Sequence, residues 1–320
     1  MRSRAQQELI GAVGGFARRH LGTGRGIPVC VALSGGADSL ALTAASLRAG
    51  LRVRALVVDH GLQDGSGEVA ERAAAAARDL GAAARVLTVT VDGPGGPEAA
   101  ARTARYAALD EAREGLPVLL GHTLDDQAET VLLGLGRGSG ARSLAGMAAW
   151  NAPWGRPLLG IRRSQTRRAC TEWGLSAWDD PHNADPRYTR VRVRREALPL
   201  LDDVLGGGVP EALARTAEQL CDDADVLDDL AAELLARART PDGLAASSLR
   251  RAPRALRTRA LRAWLVEIGA VEPSSKVVAR VDALVADWRG QGGVAVGGDD
   301  EARLVVTRRA SVVVALRQQR

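Results

Sequence analysis

The sequence predicts an α/β protein: an open, mostly parallel sheet flanked by helices, followed by a smaller, mainly helical C-terminal domain. Two observations carry this. Short apolar runs bounded by breakers alternate with Ala- and Leu-rich helical stretches at intervals of roughly 30 residues, the pattern of strands joined by crossover helices. The texture then changes after about Ala148, where arginines crowd the chain. The 320 residues, 46% of them hydrophobic, suffice for about two domains. We place these at 1–205 and 206–320, divided near the glycine run Gly206–Gly208.

The elements follow in order. Leu9, Ile10, Val13, Phe16 and Leu21 recur near helical spacing over Gln6–Leu21, and Thr23–Pro28 breaks that helix. Val29–Leu33 is a short apolar run between breakers, hence a buried strand. Asp38–Arg48 reads as a helix closed by Gly50, and Val53–Asp59 as the second strand. Helix Ser66–Leu80, strand Ala84–Val91, helix Pro97–Glu114 and strand Pro117–His122 complete the alternation. Further on, Glu211–Arg239 is a long helix with an acidic face at Asp222, Asp223, Asp225, Asp228 and Asp229. A second arginine cluster spans Arg250 to Arg262, and Glu301–Leu316 alternates as a terminal hairpin.

Composition narrows the class. A net charge of +5 favours an anionic partner such as nucleic acid or a phosphorylated ligand, although Lys276 as the sole lysine betrays a coding bias toward arginine. Cys30, Cys170 and Cys221 lie far apart, which argues against a zinc site, an iron–sulfur cluster or a dithiol, and fits a reducing compartment. The N-terminus lacks the apolar stretch of a signal peptide, and no run reaches the ~18 residues of a membrane span, so a cytoplasmic location is expected.

In parallel sheets ligands sit beyond the carboxyl ends of strands. Here those ends are Ser34–Ser39, Asp59–His60 and His122–Asp126, so they should face one crevice. In Ser34-Gly35-Gly36-Ala37-Asp38-Ser39 the glycines allow close approach of a ligand to the backbone, and the following helix start offers unpaired N–H groups to an anion. Ser34 and Ser39 add hydroxyls, and Asp38 is placed to hold a magnesium ion bridging phosphates. A capped glycine turn explains the same residues, and so does a turn-capping role for Asp59. On the helix after Glu98, Arg102, Arg105 and Tyr106 share one face, with Glu98 one turn from Arg102. In Gly121–Thr130, Asp125 and Glu129 share a face, as do His122 and Asp126; these carboxylates suit a metal, an ammonium group or a dipole-matched first turn. Gly136–Met147, with Arg137 and Arg142, reads as a loop over an anionic ligand or a plain connection. Trp173, Trp178 and Tyr188 among arginines suit a phosphate backbone.

The hexapeptide SGGADS resembles the SGGxDS pyrophosphate loop of ATP pyrophosphatases, which adenylate a substrate and release pyrophosphate. With DHGL, EAxARxARY, GHTxDDQAET, RGSG followed by LAGM, RPLL and the Asp180–Leu201 segment ending in LPLL, the chain resembles the tRNA(Ile)-lysidine synthetase family from Val31 to Leu201. The Arg-rich stretch Arg254–Leu265 resembles a helix of that family's first C-terminal domain, and the chain resembles a short form without the second.

The resemblance implies an adenine nucleotide α-hydrolase-like fold and an ATP-dependent ligation. Carbon 2 of the wobble cytidine in tRNA(Ile) with a CAU anticodon is adenylated, and the L-lysine amine then displaces AMP, giving lysidine. By the resemblance, Ser34, Gly35, Gly36, Ala37, Asp38 and Ser39 hold ATP and Mg2+, with Asp59, His60, Arg105, His122 and Arg137 around the nucleotide. Asp38, Asp125, Asp126 and Glu129 are the catalytic candidates, serving the lysine ammonium or taking its proton. A homodimer is a further expectation. The departures from the family pattern, His182 and Val191, are expected in RNA-facing or flexible parts. Two other readings stay open: another pyrophosphate-loop enzyme, such as a thiolase or an amide-forming synthetase, and a nucleotide-bound RNA-binding protein without catalysis.

Overall fold

A computed structural model describes residues 3–61, 65–92, 96–137, 141–180, 185–298 and 301–319. The chain forms two compact units, Met1–Cys221 and Asp222–Arg320. The division falls within a helix at Val209–Ala238, C-terminal to the glycine run where composition placed it.

In the first unit, helix α1 (Arg4–His20) precedes strand β1 (Pro28–Ala32), helix α2 (Ala37–Arg48), β2 (Arg52–Asp59), α3 (Ser66–Asp79), β3 (Ala83–Thr88), α4 (Pro97–Ala112) and β4 (Val118–Leu119). Next come α5 (Leu124–Gly136), the short α6 (Ala141–Leu144), a small strand pair β5 (Trp150–Asn151) and β6 (Trp154–Gly155), and α7 (Arg163–Glu172). A π-helical turn, Val193–Ala197, links α8 (Thr189–Arg192) to α9 (Leu198–Val204), and α10 (Val209–Ala238) follows.

The sheet order is β3-β2-β1-β4-β6-β5. β1 runs parallel to β2 and β4, β2 to β3, and β4 to β6; only β5 is antiparallel. The open parallel sheet is therefore as expected, and the carboxyl ends of β1, β2 and β4 lie on one edge. The sequence reading did not anticipate β5 and β6, which are too short to show a period.

The apolar run of β1 is continuous because both faces of the sheet are covered. Val29, Val31, Val53 and Ala55 join the core that includes Leu9, Val13, Leu40 and Leu42, whereas Cys30 and Leu56 face the other way with Leu87, Leu109 and Val118. Ser39 to Ser46 of α2 are all buried, so this helix sits inside the unit rather than on it. Truncating Leu40 or Leu42, at 1% and 0% exposure, to Ala would cost about 2–5 kcal/mol each. The loop before α2 is thus mounted on a buried helix.

The second unit holds the expected helices and adds a sheet that, beyond its terminal hairpin, the sequence did not show. Beside α11 (Ala246–Arg250), α12 (Arg254–Glu267) and α13 (Ser275–Ala286), it contains a five-stranded antiparallel sheet. The sheet consists of β7 (Arg239–Thr240), β8 (Gly243–Ala245), β9 (Val294–Gly298), β10 (Ala302–Arg309) and β11 (Val312–Gln319), in the order β7-β8-β11-β10-β9. The anticipated terminal hairpin is the β10–β11 pair, with Arg309 opposite Val312.

The arginine cluster of α12 is also partly internal. Arg257 is buried and forms a two-point pair with Asp282 at 2.5 and 3.1 Å. Arg259 pairs with Asp228 at 3.1 Å, and Arg262 donates to the carbonyl of Pro273. Arg250, Arg251 and Arg254 are exposed.

Candidate active site at the carboxyl edge of the parallel sheet

β1 ends at Ala32, and the chain turns through Ser34, Gly35 and Gly36 into α2. Gly35 needs its lack of a side chain twice: its φ is +82°, and a Cβ there would lie 3.2 Å from the Ala73 Cβ. Gly36 is the N-cap and brings no side chain to the first turn, so no side-chain cap occupies those N–H groups. The Ser34 backbone N–H donates to Ser39 Oγ at 3.2 Å, and Ser39 Oγ donates to the Gly36 carbonyl at 3.0 Å. These two bonds hold the loop from within. Ala37 begins α2, and its carbonyl accepts from Cys170 Sγ at 3.1 Å; burial raises that thiol to about 11.

The end of β4 leads into α5 through a capping box. Thr123 is the N-cap, and Asp126 Oδ2 accepts from its backbone N–H at 2.8 Å and its hydroxyl at 2.7 Å. The dipole-matched first turn and the candidate site carboxylate are therefore the same residue. Gly121 lies against the loop, since a Cβ there would come within 3.1 Å of the Ser39 nitrogen.

Asp38, Asp125, Asp126 and Glu129 are brought together through Arg163, the first residue of α7. Its Nη2 lies 2.6 Å from Asp126 Oδ1, its Nη1 3.4 Å from Glu129 and its Nε 3.4 Å from Asp38. Its backbone N–H donates to Asp125 Oδ2 at 2.7 Å. Glu129, 0% exposed, also receives Arg194 from the π-helical turn at 2.7 and 3.2 Å, and Arg190 stands 3.6 Å away. Arg162 reaches Asp125 at 3.4 Å, and the Thr166 hydroxyl donates to Asp38.

Burial acts differently on the two acids that share Arg163. It pushes the Asp38 carboxyl above its ordinary range despite Thr166 and Arg163. For Asp126 burial is opposed and outweighed by Arg163 and by the hydrogen bonds from Thr123, which hold it below that range. Burial also disfavours the charge of Arg163, but Asp126, Glu129 and Asp38 overcome this and keep it a cation.

A cationic group borders the acids. Burial lowers His122 to about 4, so it is neutral at physiological pH, and its Nδ1 has no partner among the described residues. His60 is likewise lowered by burial, and its Nδ1 is also unpartnered. Burial lowers Arg105 and Arg156 too, and no carboxylate among the described residues pairs with either. The guanidinium carbons of Arg102 and Arg105 lie 4.9 and 5.5 Å from the Tyr106 ring centroid. Desolvated arginines without counter-ions, beside buried unpartnered imidazole nitrogens, form a surface suited to an anion.

The other expected residues are placed as follows. Asp59 accepts from the Gly61 N–H at 3.0 Å, the local turn that the sequence allowed, and no contact joins it to the acids. Arg137 caps the end of α5 and lines a cleft of about 240 Å³ with Thr130, Arg142 and Arg190, the last of which also stands 3.6 Å from Glu129. Gly138, Gly140 and His182, and the side chain of Glu98, lie outside the described residues. Val191, expected on an RNA-facing or flexible part, is buried at 6% exposure instead, so an apolar residue there is explained by packing.

The PP-loop domain family matches residues 21–201, and the TilS substrate binding domain matches residues 244–311. A tRNA(Ile)-lysidine synthase of Nocardia farcinica is 60% identical over 309 residues, covering 96% of this chain and 97% of that protein. The chain belongs to the tRNA(Ile)-lysidine synthase family.

Two further relatives carrying the same name are those of Rhodococcus erythropolis, 62% identical over 88% of this chain and 87% of that protein, and Mycobacterium bovis, 54% identical over 99% of each. Among solved structures, the U34-tRNA thiolase NcsA from Methanococcus maripaludis with its [4Fe-4S] cluster superposes with a TM-score of 0.53 at 18% identity, over 68% of this chain and 80% of that one. That likeness bears on the fold alone. Within the synthase family, the residues that sequence reasoning missed are the guanidinium partners Arg162, Arg163, Arg190 and Arg194, with Arg156 and the cap Thr123. Their signal was present: four acids converging on one buried edge require cations, and the arginine-rich segment just downstream is the nearest source.

Proposed function

We propose that the protein ligates L-lysine to carbon 2 of the wobble cytidine of tRNA(Ile) bearing a CAU anticodon, through an adenylated tRNA, releasing pyrophosphate and then AMP. The observation that carries this is the junction of an uncapped glycine loop with a part-buried set of carboxylates, Asp38 being common to both. In the first step the cytidine O2 attacks the α-phosphorus of ATP and pyrophosphate leaves. In the second the lysine Nε attacks carbon 2, the C2–O2 bond breaks with AMP as leaving group, and the amine gives up its protons.

The loop amides, Ser34 and Ser39 suit the triphosphate. Arg105, Arg156 and neutral His122 suit charge that develops as the bridging oxygen leaves. Lysine's ammonium has an ordinary pKa near ~10.4, so it reaches the attacking form only if a buried site disfavours its charge and a carboxylate accepts the proton. Asp126, kept ionised, and the buried Glu129 supply ammonium binding; Asp125 anchors the start of α7 through the Arg163 N–H.

Magnesium fits this donor set as a companion of the nucleotide. One carboxylate beside a phosphate loop is how Mg2+ is commonly held, with phosphates and water completing the shell, and Asp38 is that carboxylate. Among the described residues no group of three or more His, Cys, Asp or Glu makes an all-protein cage. When bound, the ion would neutralise triphosphate charge.

The test is to incubate the protein with tRNA(Ile) and ATP labelled at the α-phosphate, without lysine. Label is expected on the tRNA, and added lysine should release it as AMP. Unlabelled tRNA with active, folded protein would refute the adenylation step.

A further inference from the structure

Lysine cannot enter the carboxylate cluster as the structure presents it, because guanidinium groups already occupy it. Asp126 and Glu129 are engaged by Arg163 at 2.6 and 3.4 Å and by Arg194 at 3.5 and 2.7 Å. An incoming ammonium must displace one of them.

The two arginines differ in what else they touch. Among the described residues, Arg194 contacts the acids of α5, Asp126 and Glu129. Arg163 contacts those acids and also Asp38 of the phosphate loop at 3.4 Å. Its backbone is anchored to Asp125, and the adjacent Thr166 hydroxyl holds Asp38, so α7 stays against the loop while the guanidinium remains the adjustable part. Two of its three side-chain contacts are long, at 3.4 Å, and the side chain is 16% exposed beside Asp38 of the loop.

We propose that Arg163 is a positioning residue that couples the two substrates: it neutralises Asp126 and Glu129 while the loop is empty, and turns toward the triphosphate when ATP binds, freeing those carboxylates for the lysine ammonium. A polyanion at Ser34–Ser39 is a stronger electrostatic partner for this guanidinium than Asp38 alone. Once it moves, Asp126 and Glu129 lose one cation and gain attraction for another. ATP therefore raises the affinity for lysine, and by linkage lysine raises the affinity for ATP by the same factor. This rests on the reading that Asp126 and Glu129 receive lysine.

The experiment is calorimetric titration of L-lysine into the full chain, with and without a non-hydrolysable ATP analogue and magnesium. For the wild type the analogue should tighten lysine binding by at least about 5-fold, the lower end of ordinary coupling. R163Q should bind lysine more tightly than the wild type without nucleotide, and the analogue should add nothing. R163K, which keeps the charge but loses the fork, should restore part of the coupling.

Equal lysine affinity with and without analogue in the wild type would overturn the proposal, as would full coupling in R163Q. If R163Q does not fold, R163K decides: coupling weaker than the wild-type factor supports the proposal and undiminished coupling overturns it. E129Q separates the two levels of argument. Lysine binding weakened by E129Q but blind to nucleotide removes the role of Arg163 alone. Binding indifferent to E129Q removes the lysine site and this proposal with it.

Discussion

Glu129→Gln removes one charge from the most enclosed part of the site while keeping the size of the side chain. Glu129 is 0% exposed and is met by Arg194 at 2.7 Å, Arg163 at 3.4 Å and Arg190 at 3.6 Å. Two unit charges about 4 Å apart interact by about 4 kcal/mol at an effective dielectric of ~20. A lysine ammonium that loses this partner should show a KM raised by up to about 1000-fold, since each ~1.4 kcal/mol is a factor of ten. The same change leaves Arg194 short of its main counter-ion, and breaking a buried pair from one side costs about 3–5 kcal/mol. At about 2–4 °C per kcal/mol for a unit of this size, Tm should fall by roughly 6–20 °C. The assay is steady-state lysine transfer at a temperature where the variant stays folded, with adenylation of tRNA measured separately in the absence of lysine. The expected result is a lysine KM that rises steeply while adenylation changes little. A lower Tm with an unchanged lysine KM would refute the reasoning and make Glu129 a structural partner of Arg194 only.

Three other outcomes follow from the same geometry. Gly35→Ala places a side chain at φ +82° and 3.2 Å from Ala73, at a strain of about 1–2 kcal/mol, so ATP should bind roughly tenfold more weakly with the circular dichroism unchanged; unaltered affinity would contradict the cradle. Burial sets His122 at about 4, below its unfolded value of ~6.5, so the unfolded chain binds the extra proton between those values. Stability should then be undiminished by His122 above pH ~6.5 and fall by about 3 kcal/mol toward pH 4; in His122→Gln this part of the pH slope should vanish, and equal slopes by urea unfolding would contradict it. Arg257→Met leaves Asp282 buried and alone and should cost about 3–5 kcal/mol, whereas adding Asp282→Leu should recover most of it; a single variant as stable as wild type in thermal unfolding would show that the pair is inert.

The parallel sheet was legible in the sequence because its signal is local. Val29–Leu33 and Val53–Asp59 are apolar runs long enough to be strands, and the glycine loop marks where the first one ends. β5 to β9 were not legible, since two- to five-residue strands carry no period and β9 is broken by glycines. In the site, Asp38, Asp126 and Glu129 were found because acids clustered in sequence at strand ends must meet in space. Arg163 was not found, because nothing local distinguishes it from Arg162 or Arg167; its role follows from α7 packing on α2. In the cluster from Arg250 to Arg262, the charges of Arg257 and Arg259 are spent on Asp282 and Asp228, which the sequence did not show. An arginine count along a helix cannot tell a counter-ion from a free cation; only the position of the acids does.

The most direct test of the account is transfer of radiolabelled L-lysine to tRNA(Ile) with a CAU anticodon, with and without ATP. ATP-dependent label is expected on the wobble cytidine, and it should be lost in Asp38→Ala. Absence of label with folded wild-type protein, tRNA, ATP and magnesium present would contradict it.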